Sequence, residues 1–230
     1  IHILVRKATN DRNNRKKLVS MDFLDLINLY KKESSDVVNN LSSDDLQEFV
    51  NLVLNAYESQ KKIFACGNGG NAAYVANLVV DLNMHPFVSE DKSSHDVKRN
   101  KFHAINLCEA AATLTGITND LGFNSVFKEQ LKYQAEKDDI LFCISGSGNS
   151  GNVLEAMEYA KNIGMKCVIM TRKSPCKAEN FADIMIQVNG TSEFPGQTGN
   201  NNNNFHFEDC ISKITHMITG ILKLKVTQDD

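Results

Sequence analysis

Two short loops of glycine, serine and asparagine are the part of this chain best suited to hold an anion. Residues 67–71 follow an apolar run that ends at Cys66, and residues 145–150 follow the apolar run 140–144. Each loop leads into a helix-like stretch, so backbone amides, hydroxyls and the positive end of a helix dipole converge on one spot. Two such loops in one small sheet predict a ligand with a phosphate and several hydroxyls, which is a sugar phosphate. The candidate binding residues are Asn68, Gly69, Gly70, Asn71, Ser145, Ser147, Asn149 and Ser150.

The stretch after the first loop carries polar residues that a core helix would not need. It is almost wholly apolar between positions 72 and 82, which predicts a buried helix. Tyr74, Asn77 and Asp81 interrupt it at i, i+3 and i+7, on one face. Because a buried carboxylate is costly without partners, this stripe faces either a functional site or another subunit.

The last predicted helix shows a similar division into two sides. It begins at about Phe207. Its apolar side consists of Ile211, Ile214, Ile218 and Ile221. Its polar side consists of Glu208, Asp209, Ser212 and His216. The polar side is either an ordinary solvated face or part of the site, because His216 shares it with two acids just after a flexible-looking loop.

The elements that position these residues follow from short apolar runs that alternate with helix-like stretches. Strands are predicted at 63–66, 102–107, 140–144, 167–170 and 184–188, with helices at 71–83, at 110–135 in two pieces and at 150–163. Strands that alternate with helices form right-handed βαβ units and a parallel sheet. The predicted fold class is α/β, a doubly wound parallel sheet flanked by helices, with both loops at the carboxyl ends of strands, where such sheets bind ligands.

Three further segments complete this organisation. Amphipathic helices are predicted at 22–38 and, after an N-cap cluster at 42–45, through Tyr57. They supply more apolar surface than one sheet face needs, which indicates either a subunit interface or additional core packing. Residues 189–204, with three glycines and five consecutive asparagines, predict a loop that either covers a ligand or lies idle on the surface.

The composition of the 230-residue chain narrows the classes of function. The formal net charge of −3 gives no reason to expect nucleic acid or membrane as a partner, and no apolar run reaches the ~18 residues that a membrane span needs. The six scattered cysteines predict a reducing compartment, the cytoplasm, rather than disulfides or a zinc site.

Residues 1–20 hold six basic residues and one acid. We interpret residues 1–21 as an extension, disordered or foreign to the domain, with a functional basic arm as the alternative.

Three segments together resemble the sugar isomerase (SIS) family and, within it, the phosphoheptose isomerase branch. They are G-N-G-G at 67–70, T-x-x-x-N-D-x-G-F at 115–123 and I-S-G-S-G-N-S-G-N at 144–152. The third is specific, whereas the first alone is weak. The resemblance covers most of residues 22–225, adds Asn119 and Asp120 to the candidate binding residues, and implies a five-stranded parallel sheet in a single SIS domain at 22–230.

The resemblance also implies an activity and an assembly. It implies a homotetramer with sites at the subunit interfaces, and a phosphate held by the hydroxyls and amides of Ser145, Ser147 and Ser150. The implied reaction converts sedoheptulose 7-phosphate to an aldoheptose phosphate through an enediol. Asp81 and His216 occupy the positions of the family's carboxylate and histidine, which would serve as base and acid.

Several positions depart from the pattern of the branch. Where the branch has a zinc-ligating histidine, this chain has Asn77. Four other residues of the branch are also replaced: its glutamate is Asp81 here, its glutamine is Glu208, its aspartate is Ala110 and its serine is Asn71. Asn77 is a poor zinc ligand, but Asp81, Glu208 and His216 could still hold a divalent ion. The phosphate half of the site therefore keeps the pattern, whereas the half that contacts the sugar is altered.

Three functions stay open on the sequence alone. The first is a cytoplasmic ketose–aldose phosphate isomerase that needs no nucleotide. The second is a non-catalytic sugar-phosphate-binding protein, a sensor or adaptor, which Asn77 and Ala110 favour. The third is a dinucleotide enzyme, since Gly67, Gly69 and Ala72 fit G-x-G-x-x-A. That pattern is weak by itself, and a dinucleotide site at the first loop would give the loop at 145–150 no function.

Overall fold

A five-stranded, wholly parallel sheet organises the protein, whose computed structural model describes residues 21–96, 100–197 and 199–227. The strands are β1 (Lys62–Gly67), β2 (His103–Asn106), β3 (Ile140–Ile144), β4 (Lys166–Thr171) and β5 (Ile184–Gln187). Their order is β2-β1-β3-β4-β5. The chain changes direction across the sheet between β1 and β3, so the carboxyl ends of these two strands form the crevice in which such sheets bind ligands. The basic segment at 1–20 lies outside the described residues.

Helices cover both faces of this sheet. They are α1 (Phe23–Asn39), α2 (Ser43–Glu58), α3 (Gly70–Met84), α4 (Ala111–Leu121), α5 (Val126–Gln134), α6 (Gly151–Asn162) and α7 (Asn204–Thr227). The predicted N-cap cluster is confirmed, because the hydroxyl of Ser42 accepts a hydrogen bond from the backbone N–H of Asp45 at 3.1 Å. Within the described ranges, no helix is both long and apolar enough to cross a membrane.

The strand β3 shows how two cores form on one sheet. Successive side chains of a strand point to opposite faces. Accordingly, Ile140, Phe142 and Ile144 pack with residues of α2, α3 and α7, whereas Leu141 and Cys143 pack with residues of α5 and α6. All five are fully buried, which is why this strand reads as a continuous apolar run rather than as an alternating one.

Three details of the helices differ from the sequence-based predictions. The last helix begins at Asn204 rather than at Phe207, because the Asn203 carbonyl already accepts the N–H of Phe207 at 2.9 Å. Within that helix Ile221 is 38% exposed, and Leu222, four residues after Ile218, continues the buried face instead. The helix α3, predicted to be buried all round, leaves Val80 and Met84 about half exposed.

The described residues of the segment 189–204 do not form an open loop. The side chains of Ser192, Gln197 and Asn203 are buried. The carboxylate of Glu33 in α1 accepts hydrogen bonds from the hydroxyl of Ser192 at 2.6 Å and the N–H of Glu193 at 2.7 Å. The described part of the segment therefore packs between α1 and α7 through polar contacts, which neither sequence-based interpretation anticipated.

Candidate active site

The loop at the end of β3 has the geometry of an anion cradle. Ser150 is the N-cap of α6, but its side chain makes no capping hydrogen bond. Its hydroxyl lies instead 3.1 Å from the hydroxyl of Ser145. Ser150 therefore does not cap the first turn of α6, where the amide of Val153 donates instead to the Asn152 side chain at 3.0 Å. First-turn amides without a cap are the groups that bind phosphate at helix N-termini.

Glycine and asparagine residues hold the rest of this loop in shape. Gly148 has φ of +61°, and a Cβ there would collide with the Sγ of Cys176. The backbone N–H of Asn149 donates to the hydroxyl of Ser147 at 3.2 Å, while the Asn149 side-chain oxygen accepts from the N–H of Lys177 at 2.9 Å. The hydroxyl of Ser147 therefore bonds an amide of its own loop, and Asn149 fixes the loop against the chain that follows β4.

The loop at the end of β1 lies against the first one. A Cβ on Gly67 would be 2.9 Å from the Cβ of Asn71 and 3.2 Å from the carbonyl oxygen of Ile144, so only glycine allows this approach. The side-chain amides of Asn68 and Asn152 exchange two hydrogen bonds, at 2.9 and 2.8 Å. Sequence reasoning missed the role of Asn152, although the residue closes the specific motif at 144–152.

The first turns of α3 and α7 lie side by side. Gly69, with φ of +58°, is the N-cap of α3. A Cβ on the next residue, Gly70, would be 3.7 Å from the Glu208 carboxylate. Glu208 accepts a hydrogen bond from the side chain of Asn204 at 2.8 Å. Burial, with the carboxylates of Glu208 and Asp209 nearby, raises the pKa of Tyr74 above its ordinary value.

Further along the same two helices, the predicted acid and base meet. A carboxylate oxygen of Asp81 lies 3.5 Å from Nε2 of His216. The side-chain nitrogen of Asn77 donates to that carboxylate at 2.9 Å and lies 3.3 Å from the same imidazole nitrogen. Asp81 is 8% exposed, whereas the His216 side chain is 64% exposed. This arrangement suits proton transfer, because a shielded carboxylate contacts an imidazole that a ligand can reach.

The distance along the helices gives the site an elongated form. Gly70 and Asp81 are eleven positions apart on α3, and Glu208 and His216 are eight positions apart on α7. At 1.5 Å per residue these separations are about 12–16 Å. An occupant that touches both the loops and the Asp81–His216 pair must be a long molecule with its anionic group at one end.

Two of the candidate residues lie elsewhere on the surface. Asn119 and Asp120 are exposed on α4, and the Asn119 amide donates to the Asp120 carboxylate at 2.8 Å. No residue of α4 is buried. Asp209 also faces away from the pair, because it accepts a hydrogen bond from the hydroxyl of Tyr30 at 2.5 Å.

The donor set does not match a zinc site. In the ranges that the structure describes, no three His, Cys, Asp or Glu side chains are grouped as a metal would need. Glu208 bonds Asn204 instead of joining Asp81 and His216, and Asn77 turns an N–H donor toward them. An amide nitrogen has no lone pair to offer a metal, so this position does not supply the third ligand.

Comparisons with known proteins identify one family. A family model described as the SIS domain matches residues 29–172. A phosphoheptose isomerase of Vibrio vulnificus (strain CMCP6) is 32% identical over 171 residues, which cover 72% of this chain and 84% of that protein. One from Helicobacter pylori (strain P12) is 35% identical over 143 residues, covering 62% and 70%.

The fold also has close counterparts among solved structures. A phosphoheptose isomerase from Francisella tularensis superposes with a TM-score of 0.70 at 24% identity, covering 89% of this chain and all of that one. The corresponding structure from Neisseria gonorrhoeae has a TM-score of 0.65, also at 24% identity. At 24% identity the structural matches show the fold alone, whereas the sequence matches identify the family. The chain belongs to the SIS domain family, in its phosphoheptose isomerase branch.

Proposed function

We propose that this protein is a ketose–aldose phosphate isomerase that converts sedoheptulose 7-phosphate to an aldoheptose 7-phosphate. The observation that carries the proposal is the contact between Asp81 and His216 across two helices that both begin beside the serine loop. The matches to phosphoheptose isomerases support the same activity. The elongated shape suits a long-chain sugar phosphate.

The substrate phosphate binds at the β3 loop. The hydroxyls of Ser145, Ser147 and Ser150 and the first-turn amides of α6 donate to its oxygens, with the loop of residues 68–71 alongside. The hydroxyls of Ser145 and Ser150 lie 3.1 Å apart, which supports this role, because two hydroxyls at such a short distance can both donate to one anion. Glu208 contacts the sugar chain between the two ends.

Proton transfer takes place at the other end of the substrate. Asp81 takes a proton from the carbon next to the ketone, and His216 donates a proton to the ketone oxygen, which forms the enediol. A proton then returns to the former ketone carbon, and the hydroxyl on the terminal carbon loses its proton. The product is the aldose, with no net oxidation. The Asn77 amide supports Asp81 in this task by fixing one carboxylate oxygen. No step here is routed through zinc, because the side chains present do not fit a zinc site.

A homotetramer with sites at the subunit interfaces is part of the proposal. Large apolar side chains are exposed on α1, on α3, at the end of α4 and on α7, and examples are Phe23, Leu24, Leu121, Phe123 and Leu224. Burial of such surface by other copies is favourable. Asn119 and Asp120 then act in the site of a neighbouring copy rather than in their own.

The remaining assignments concern domain and location. Residues 22–230 form one SIS domain after an extension at 1–21, which the packing of the described helices on a single sheet supports. The protein works in the cytoplasm. Six free cysteines support this location, because thiols persist in reducing compartments.

A non-catalytic sugar-phosphate-binding protein is the second candidate. One observation favours it: the side chain that contacts both Asp81 and His216 is that of Asn77, an amide that does not exchange protons as the histidine of the branch would. Under this function the two groups bind the sugar without turnover.

Incubation with sedoheptulose 7-phosphate tests the isomerase. Purified protein is mixed with the sugar phosphate in D2O, with EDTA and separately with added Zn²⁺ or Mg²⁺, and the aldose product is followed by NMR. We expect product and solvent deuterium at the second carbon in the EDTA sample as well. Substrate binding without product or exchange in every sample would favour the second candidate.

A further inference from the structure

Arg172 joins three parts of the site that the sequence places far apart. It is the first residue after β4, and its backbone N–H donates to the Gly146 carbonyl at 3.4 Å. Its two terminal nitrogens donate to the carbonyls of Asn202 and Asn200, each at 2.6 Å. Arg172 thus connects the β3 loop, through its backbone, with the segment that leads into α7, through its guanidinium.

The packing around this guanidinium is tight on the side of the loop. A Cβ on Gly146 would be 3.3 Å from Nε of Arg172 and 3.4 Å from the ring of Phe207. Nε is buried and has no hydrogen-bond partner among the described residues. The guanidinium and the first turn of α7 therefore both pack closely against the loop at Gly146.

The first turn of α7 also carries a carboxylate, Glu208, whose charge acts on this guanidinium. Asn204 approaches Gly146 on one side and donates to Glu208 on the other. Burial lowers the pKa of Arg172, and the negative charge of Glu208 acts in the opposite direction. Arg172 and Glu208 share no direct hydrogen bond in the described residues, and Asn204 connects them by contacting Gly146 and bonding Glu208.

We propose that Arg172 is a positioning residue for the sugar end of the site. Its paired hydrogen bonds hold residues 199–204 against the β3 loop and so fix Glu208, and beyond it His216, relative to the phosphate-binding serines. This inference rests on the proposed function. Two carbonyl acceptors 2.6 Å from one planar guanidinium match the paired donors of arginine, which lysine cannot reproduce.

Arg172→Lys is the central variant, because it keeps the charge and removes the paired geometry. Arg172→Met removes both, and Lys173→Met is the matched control that removes the neighbouring cation. Hydrogen exchange of residues 199–210 is measured without substrate. We expect about tenfold or faster exchange in both Arg172 variants, since local opening costs less once two hydrogen bonds are lost, and unchanged exchange in the control.

Kinetics then test the positioning role. A misplacement of about 1 Å in a site costs up to about 100-fold in rate, so we expect kcat/KM of Arg172→Lys to fall about 10- to 100-fold. Affinity for inorganic phosphate, measured by thermal-shift titration, should stay within about threefold because the charge and the serines remain. In a Glu208→Gln background the same lysine substitution should cost much less than it does alone, since the two residues act as a unit.

The outcomes separate the alternatives. Wild-type exchange and kcat/KM in Arg172→Lys would overturn the inference, as would equal losses in phosphate affinity and turnover or full additivity with Glu208→Gln. If the wild-type protein proves to have no isomerase activity, the proposed function fails, while the exchange rates still decide whether Arg172 holds the segment in place.

Discussion

At one end of the candidate site the functional groups belong to the six consecutive residues 145–150. At the other end they come from Asp81 and His216, which lie on two helices more than half the chain apart in sequence. The serine loop is shaped by its own glycines and by its strand. The Asp81–His216 contact exists only because α3 and α7 pack in one register. The two ends of one site therefore depend on different parts of the fold.

This difference has a consequence for function. A loop that contacts phosphate in both ground and transition states contributes uniform binding, so its defects appear in affinity. A pair that exchanges protons acts chiefly in the transition state, so its defects appear in rate. Variants at the two ends should separate these quantities.

The largest expected effect follows from Asp81→Asn. The amide keeps the shape of the side chain but cannot accept a proton, so kcat should fall by about 10²–10⁴-fold, the range for a general base. Affinity for the sugar phosphate, measured by calorimetry, should change little. Asp36→Asn, at an exposed acid of α1, is the control and should retain full turnover.

An Asp81→Asn protein as active as the wild type would assign the proton transfer to another residue. A large loss of affinity without loss of rate would instead make Asp81 part of the binding surface. Either result would remove the functional contrast between the two ends.

The sequence analysis was most successful where the function depends on short-range geometry. The loop at 145–150, its strand and the following helix were predicted within one residue at each boundary, because glycine, serine and the apolar run are neighbours in the chain. The polar faces of α3 and α7 were also predicted. That Asp81 would meet His216 came from the resemblance to a family, since periodicity assigns a face but not a partner.

The contacts that position α7 could not be predicted. His206 is fully buried, its Nε2 lies 2.9 Å from the Glu33 carboxylate, and its ring packs on Tyr30 with centroids 4.4 Å apart. A histidine, a glutamate and a tyrosine at such separations carry no local signal of pairing. The contact of the asparagine run with Arg172 could not be predicted either, because Arg172 binds the backbone carbonyls of the run rather than its side chains.

A smaller effect is expected from Ser150→Ala at the loop. Loss of one hydroxyl that donates to a phosphate weakens the contact by about 1.5–3 kcal/mol, so KM should rise about 10- to 100-fold. The value of kcat should stay within about twofold if the contact is the same in both states. Ser35→Ala, at an exposed serine of α1, serves as control, and a fall in kcat alone would contradict the division between the ends.

Tyr30→Phe tests the remote support of the helix pair. The Tyr30 hydroxyl donates to Asp209 of α7 at 2.5 Å, and its ring lies against Phe194 and His206. Because the pair is only partly buried, its loss should lower the free energy of unfolding by about 1 kcal/mol. Urea denaturation measures this, with Tyr133→Phe at an exposed tyrosine as control. No change in stability would mean that α1 does not hold α7.

The same hydrogen bond predicts an alkaline dependence of stability. Burial, together with the hydrogen bond to Asp209, raises the pKa of Tyr30 well above its ordinary value of 10.0. The folded state thus favours the protonated hydroxyl, and the contribution is complete below pH 10 and is lost progressively as the pH rises above it. The difference in unfolding free energy between wild type and Tyr30→Phe should therefore be constant from pH 7 to 9 and shrink above pH 10. A difference that grew with pH would mean that the carboxylate of Asp209 does not hold this hydroxyl in the folded protein.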